Sequence, residues 1–222
     1  MEAFDKILAD LRALSVNKSE QGTRFERLMK AFLKTDRLYT EQYESVWLWS
    51  EFPYNGGKHD YGIDLVAKRH GQNVFCAIQC KFYDPNTTVS KDDVDSFLSA
   101  SGKYITVGNE FIYFSERIFI STTDKWTSTA EDAIIGQNPP VNRIRLKDLR
   151  ESSIDWKTVT LLEPEKMQLM AQKTIRPHQV RALSDVVDGF KANDRGKLIM
   201  ACGTGKTLTS LRIGEVFMFL PA

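Results

Sequence analysis

Between Gly56 and Tyr83 the chain reads GGKHDYGIDLVAKRHGQNVFCAIQCKFY, and no other stretch limits the possible folds as tightly. Ile63-Asp64-Leu65-Val66-Ala67 and Val74 to Lys81 are strand-like runs. Lys68-Arg69-His70-Gly71-Gln72-Asn73 between them is a turn, so the pattern predicts an antiparallel hairpin. Two charges interrupt the apolar residues. Asp64 sits near the start of the first run, and Lys81 closes the second after Phe75, Cys76, Ala77 and Ile78. Burying either charge alone is costly, so both are expected to face one shared polar site.

In an antiparallel pair Asp64 comes level with Gln79 or Lys81. The two-residue period of a strand puts Gln79 and Lys81 on one face and Cys80 on the other. A carboxylate, a second oxygen donor and an ammonium at one end of a hairpin suit Mg²⁺ holding a phosphate, with water as the nucleophile. The lysine would orient that water or offset charge at phosphorus. A turn aspartate and an edge lysine would account for the same residues, since surface charges are commonplace.

Gly62-Ile63-Asp64 followed by Gln79-Cys80-Lys81 resembles the GxD…QxK core of the PD-(D/E)xK nucleases, specifically their Mrr-like branch. The resemblance takes in Gly56-Gly57 and Asp60 upstream. Downstream it includes Ile118 to Thr123, Trp126-Thr127 and Ala130-Glu131-Asp132-Ala133. It implies an α/β fold with a mixed sheet flanked by helices, and a Mg²⁺- (or Mn²⁺-) dependent endonuclease acting on double-stranded DNA. It further implies Asp64, Gln79, Lys81 and Glu26 as catalytic residues, with Asp64, Gln79, Cys80 and Glu26 at the metal and Asp60 in support. Gln79 is neutral where many relatives carry Glu. That substitution opens an alternative, a nuclease-fold DNA-binding module whose chemistry has lapsed.

Around this hairpin the chain alternates helices and strands, as an α/β sandwich requires. Phe4, Ile7, Leu8, Leu11 and Leu14 recur at helical spacing. A second helix, from Ser19 to about Lys34, carries Phe25, Leu28, Met29 and Phe32 with Glu26 beside them. Tyr43 to Phe52 reads as an aromatic strand, leading to a loop with Lys58, His59 and Asp60. Ser90 is an N-cap with Asp92 and Asp93 in the first turn of its helix. Phe111 to Ser115 and Arg117 to Ser121 are expected strands. A helix follows from Thr127 and ends at Asn138-Pro139-Pro140, and Thr158 to Leu162 is a further short strand. Lys81, Lys91, Lys103 and Lys125 form a possible basic strip along a DNA groove.

Glu163-Pro164-Glu165 reads as a linker, giving domains over 1–163 and 164–222. In the second, Lys197 to Ala201 is expected to be a buried strand running straight into Cys202-Gly203-Thr204-Gly205-Lys206-Thr207. Met200 replaces the first glycine of the strict phosphate-loop pattern. The looser form resembles motif I of superfamily 2 helicases, and Arg176-Pro177-His178-Gln179 resembles their Q-motif. That resemblance implies ATP held by Gln179 at the purine and by Gly203, Thr204, Gly205, Lys206 and Thr207 at the phosphates. In such loops backbone amides close round the phosphates, a lysine reaches the β/γ oxygens and a Thr hydroxyl holds Mg²⁺.

A nuclease ahead of such a motor resembles the Type ISP restriction-modification enzymes, with Type I restriction subunits or another nuclease–helicase protein as the near alternative. The partners implied are the rest of the motor, methyltransferase and target-recognition domains in a longer chain, and a second nuclease domain for double-strand breaks. A plain ATPase with an N-terminal interaction domain is a third reading. Net charge of +1 leaves a basic groove neither required nor excluded. Cys76, Cys80 and Cys202 have no disulfide or zinc spacing and suit a reducing cytoplasm, which the resemblance to restriction-modification enzymes implies is bacterial.

Overall fold

The computed structural model describes residues 2–57, 62–107, 110–171 and 174–219. Lys58, His59 and Asp60 lie outside them. By internal contacts the chain divides into two compact units, Met1–Met170 and Ala171–Ala222.

The first unit is built on a five-stranded sheet of order β1-β2-β3-β6-β7. Its strands are β1 (Tyr43–Leu48), β2 (Leu65–Arg69), β3 (Phe75–Lys81), β6 (Phe114–Ser121) and β7 (Val141–Ile144). β1, β2 and β3 run antiparallel in turn, whereas β3–β6 and β6–β7 are parallel. The sheet is therefore mixed. A two-stranded hairpin, β4 (Ile105–Val107) with β5 (Glu110–Ile112), stands apart from it.

Strand alternation divides the core in two. On one face Leu65, Ala67, Cys76, Ile78, Cys80 and Ile120 pack under α1 (Ala3–Leu14) and α2 (Lys18–Thr35), through Phe4, Leu11, Phe25, Leu28 and Phe32. On the other, Val66, Phe75, Ala77 and Phe119 meet Val94, Phe97 and Ala100 of α4 (Lys91–Ser101) and Ala130 of α5 (Ser128–Ile134). Each helix lies down because its apolar stripe matches a strand face. A fully buried phenylalanine such as Phe97 or Phe119 contributes about 3 kcal/mol by leaving water.

Several elements differ from the sequence reading. β1 stops at Leu48, and Trp49–Glu51 turns in a 3-10 helix. α3 (Arg37–Gln42) is an extra helix, capped by the Asp36 side chain on the Leu38 amide. No strand forms over Thr158 to Leu162. Val159 and Leu161 are buried beneath the first helical layer instead, where no neighbouring strand offers backbone partners. Glu163-Pro164-Glu165 lies inside the first unit: Pro164 is buried at the head of a 3-10 turn and Met167 joins the core. Of the four lysines expected as one strip, Lys91 opens α4 close to Lys81, and the Val89 amide donates to the Lys125 carbonyl at 2.9 Å. Lys103 follows the other end of α4, roughly 16 Å away by helix rise.

Gly62 delivers the chain into β2 with a φ of +74°. A Cβ there would stand 3.2 Å from the Ala100 Cβ. Gly62→Ala therefore combines backbone strain with a clash against α4, and should cost about 1–3 kcal/mol of stability. Urea unfolding checks it, and a variant as stable as the parent would mean that this backbone turn is not adopted.

After α6 (Leu146–Arg150), the last α-helix of the first unit, come the helices of the second: α7 (Pro177–Phe190) and α8 (Lys206–Phe219) pack together, with the Phe190 and Phe217 rings 5.2 Å apart. Lys197 to Ala201, expected as a buried strand, is irregular, and Ile199 is 89% exposed. A parallel strand needs neighbours to bond with, and no strand is described in this unit.

Candidate active site at the end of the central hairpin

β2 and β3 place Asp64 opposite Gln79, one step beyond the Leu65–Ile78 pair. The backbone of Asp64 is held from both sides. Its amide donates to the Ile78 carbonyl at 3.0 Å, and its carbonyl accepts from the Trp49 amide at 2.7 Å. The side chain is fixed as firmly: the Gln79 amide and the Cys80 main-chain N–H, the latter at 2.6 Å, both donate to Asp64 Oδ2. Gln79 itself is buried, 6% exposed. Rotating its amide by a half-turn presents Oε1 in place of Nε2 without changing the shape of the side chain.

Two residues along β3, Lys81 rises from the same face as Gln79. Its side chain is 31% exposed, and Nζ lies 3.7 Å from Asp93 Oδ1. Asp93 belongs to the first turn of α4, where its Oδ2 accepts from the Ser90 amide at 3.1 Å and the Ser90 hydroxyl at 2.7 Å. Burial works to raise the Asp93 carboxyl. The Ser90 hydroxyl and amide, Tyr83 and Lys81 outweigh it and hold the group below the usual carboxylate range. The Tyr83 hydroxyl, buried against Asp93, closes no hydrogen bond within normal geometry. The link from Asp93 to Lys81 is absent from the sequence reading. Its local signal, a Ser-x-x-Asp capping box, shows only the cap.

Cys80 takes the opposite face, its side chain within the α1–α2 core. Burial, then the carboxylates of Asp64 and Glu26, push its thiol well above the ordinary value. The Glu26 carboxylate, half-buried on α2, acts on this core-facing thiol. The Cys80 N–H points towards Asp64. In a strand the carbonyl of a residue turns to the same side as its N–H, so the part of Cys80 facing the site is main chain.

The donors gathered here are oxygens: the carboxylate of Asp64, the amide of Gln79 and the main chain at Cys80. Among the described residues no group of three His, Cys, Asp or Glu is placed to hold a metal. The neutral Gln79 stands where a third acid would. Hard oxygen donors of low total charge suit Mg²⁺ or Mn²⁺ bound weakly, and do not suit zinc.

In the second unit Gly203 and Gly205 have φ of +77° and +83°, which lets the loop curl ahead of α8. Gln179 is 3% exposed and engaged at both ends. Its Oε1 accepts from the Arg176 amide at 2.8 Å, and its Nε2 donates to the carbonyls of Thr204 (3.2 Å) and Gly205 (3.1 Å). A Cβ on Gly205 would come within 2.5 Å of that Nε2, which explains the glycine. Lys206 Nζ donates to the carbonyls of Met200 and Ala201 at 3.4 Å each, and Thr207 sits in the first turn of α8.

Comparison with known proteins agrees with this division. Residues 34–166 match a restriction endonuclease family, and residues 172–218 match the res subunit of Type III restriction enzymes. Glu26 precedes the first matched segment. No curated protein matches significantly. A solved structure of the ATP-dependent Type ISP restriction-modification enzyme LlaBIII bound to DNA is similar over 95% of this chain and 13% of its own. The identity is 37% and the TM-score 0.74. The MspJI restriction endonuclease in complex with a 27-mer oligonucleotide aligns over 92% of this chain and 38% of its own, at 16% identity and a TM-score of 0.41. The chain thus spans about an eighth of the LlaBIII length, 13%.

Proposed function

The chain belongs to the restriction endonuclease family, and from that premise we propose that its first unit hydrolyses DNA phosphodiesters with a divalent cation at the Asp64–Gln79 end of the hairpin. The observation that carries this reading is the register: Asp64 and Gln79 are level on one face, with Lys81 two residues further on. Asp64, Gln79 through Oε1, Glu26 and the Cys80 main chain would hold Mg²⁺ or Mn²⁺. The bound cation supplies neutralisation of phosphate charge and eases deprotonation of water. Lys81 sets its ammonium against a non-bridging phosphate oxygen and steadies the charge that grows there in the transition state. Trp49 and Ile78 fix the Asp64 backbone, so the strand end keeps its position while the Gln79 amide turns towards the cation.

We read residues 171–222 as the start of an ATP-driven motor within a longer restriction-modification enzyme of the Type ISP kind. Gln179, Gly203, Thr204, Gly205, Lys206 and Thr207 would take the nucleotide. Double-stranded DNA is the substrate, and a single nuclease site of this kind nicks one strand. A second such domain would be needed for a double-strand break. Methyltransferase and target-recognition domains would lie elsewhere in the longer chain, in a bacterial cytoplasm.

Incubating the protein with supercoiled plasmid tests the chemistry. Nicking that requires Mg²⁺ or Mn²⁺ and stops with EDTA is expected. Metal-dependent DNA binding without any nicking would favour the second reading, a lapsed nuclease, for which the neutral Gln79 is the specific warrant.

Gln79→Glu restores a carboxylate beside Asp64. It should tighten the divalent cation by about tenfold, because affinity follows ligand charge. Without metal the two like charges oppose each other and should cost about 1–2 kcal/mol. The new carboxyl would have its pKa raised by Asp64, so that penalty is present at neutral pH and fades as acid protonates it. Mn²⁺ titration and urea unfolding at two pH values check both halves.

A further inference from the structure

We propose that Asp93 is the positioning residue for Lys81, holding its ammonium at the mouth of the site; this rests on the nuclease reading above. Lys81 is the last residue of β3, with a long side chain that is 31% exposed. Left to itself, such a chain samples many rotamers, and a lysine needed at one point in space would be there only part of the time. Asp93 restrains it. Its two oxygens are divided between tasks: Oδ2 takes both the Ser90 amide and hydroxyl, while Oδ1 faces Lys81 Nζ at 3.7 Å.

The anchor is rigid because it is built into the helix. Ser90 Oγ accepts from the Asp93 amide at 3.3 Å while Asp93 closes back on Ser90, and Val94 and Phe97 seat this end of α4 on the sheet. Tyr83 covers the carboxylate from the loop after β3. At 3.7 Å the ammonium is attracted without being locked in a short hydrogen bond. It can turn to a phosphate at Asp64 without first breaking a strong contact. The charge set against Lys81 is the Asp93 carboxylate of α4, with the neutral Tyr83 hydroxyl buried beside it.

Asp93→Asn separates this role from helix capping. Asn keeps an oxygen for the Ser90 amide and leaves the Ser90 cap on the backbone intact, while removing the charge that faces Lys81. Two readouts are expected to move. Single-turnover cleavage at saturating DNA should fall about tenfold, with no weakening of duplex binding and with partial recovery in Asp93→Glu. Pulse acetylation of Lys81, followed by mass spectrometry, should rise roughly threefold as the restraint of a part-exposed ion pair is lost. In a Lys81→Gln background Asp93→Asn should have no further effect on cleavage, since residues acting through one group do not add. Unchanged Lys81 acetylation, undiminished cleavage, or an equal loss in the Lys81→Gln background each overturns the proposal. If the unaltered protein fails to cleave, the nuclease reading falls, and the acetylation result still decides for or against the hold of Asp93 on Lys81.

Discussion

Lys81→Ala is expected to lower single-turnover DNA cleavage by about 10²–10³-fold while leaving the fold and the metal site in place. Lys81 is the last residue of β3, it is partly exposed, and its backbone carbonyl accepts from the Thr122 amide at 3.2 Å whatever its side chain. Truncation therefore removes a charge without opening a core cavity. What is lost is the ammonium beside the phosphate, a group whose worth is greatest where charge develops in the transition state. Gel assays of a labelled duplex, with circular dichroism to verify folding, measure the effect. Cleavage within a factor of about three of the parent would remove Lys81 from the catalytic set.

Asp64→Asn is expected to cost more, about three orders of magnitude. The change is isosteric, and the strand entry should survive because the Ile78 and Trp49 hydrogen bonds use the Asp64 backbone. The Cys80 N–H can still donate to an amide oxygen. The Gln79 amide then faces a neutral group and loses its charge-assisted partner, so a small loss of stability, about 1 kcal/mol, should accompany the change. The loss of cleavage should far exceed that, since Asp64 contributes the principal negative charge of a donor set already diluted by Gln79.

The hairpin was legible because Asp64 and Lys81 conflict with the apolar pattern around them, and because period two ties Gln79 and Lys81 to one face. α1 and the Ser90 cap of α4 were legible for similar local reasons: a heptad-like apolar stripe, and a serine followed by acids. β7 was not. Val141-Asn142-Arg143-Ile144 is a short, half-polar edge strand, and only its parallel pairing with Arg117 to Ile120 makes it one. Thr158 to Leu162 and Lys197 to Ala201 show the converse. Both have strand-like composition, but a strand needs a partner edge, which local sequence does not supply. Asp93 was read correctly as a helix-start residue and no further. Its second task depends on where β3 delivers Lys81, across a loop and a register that no local pattern specifies. The family resemblance sets Cys80 among the metal ligands, yet its thiol lies in the α1–α2 core, and its backbone N–H faces Asp64.

The most direct test of the whole account is Mn²⁺ binding followed by electron paramagnetic resonance, comparing the parent protein with Asp64→Asn in the presence of a non-cleavable phosphorothioate duplex. The parent should bind Mn²⁺ at one strand-end site, and the variant should lose that binding while remaining folded. Mn²⁺ bound equally tightly by both proteins would contradict it.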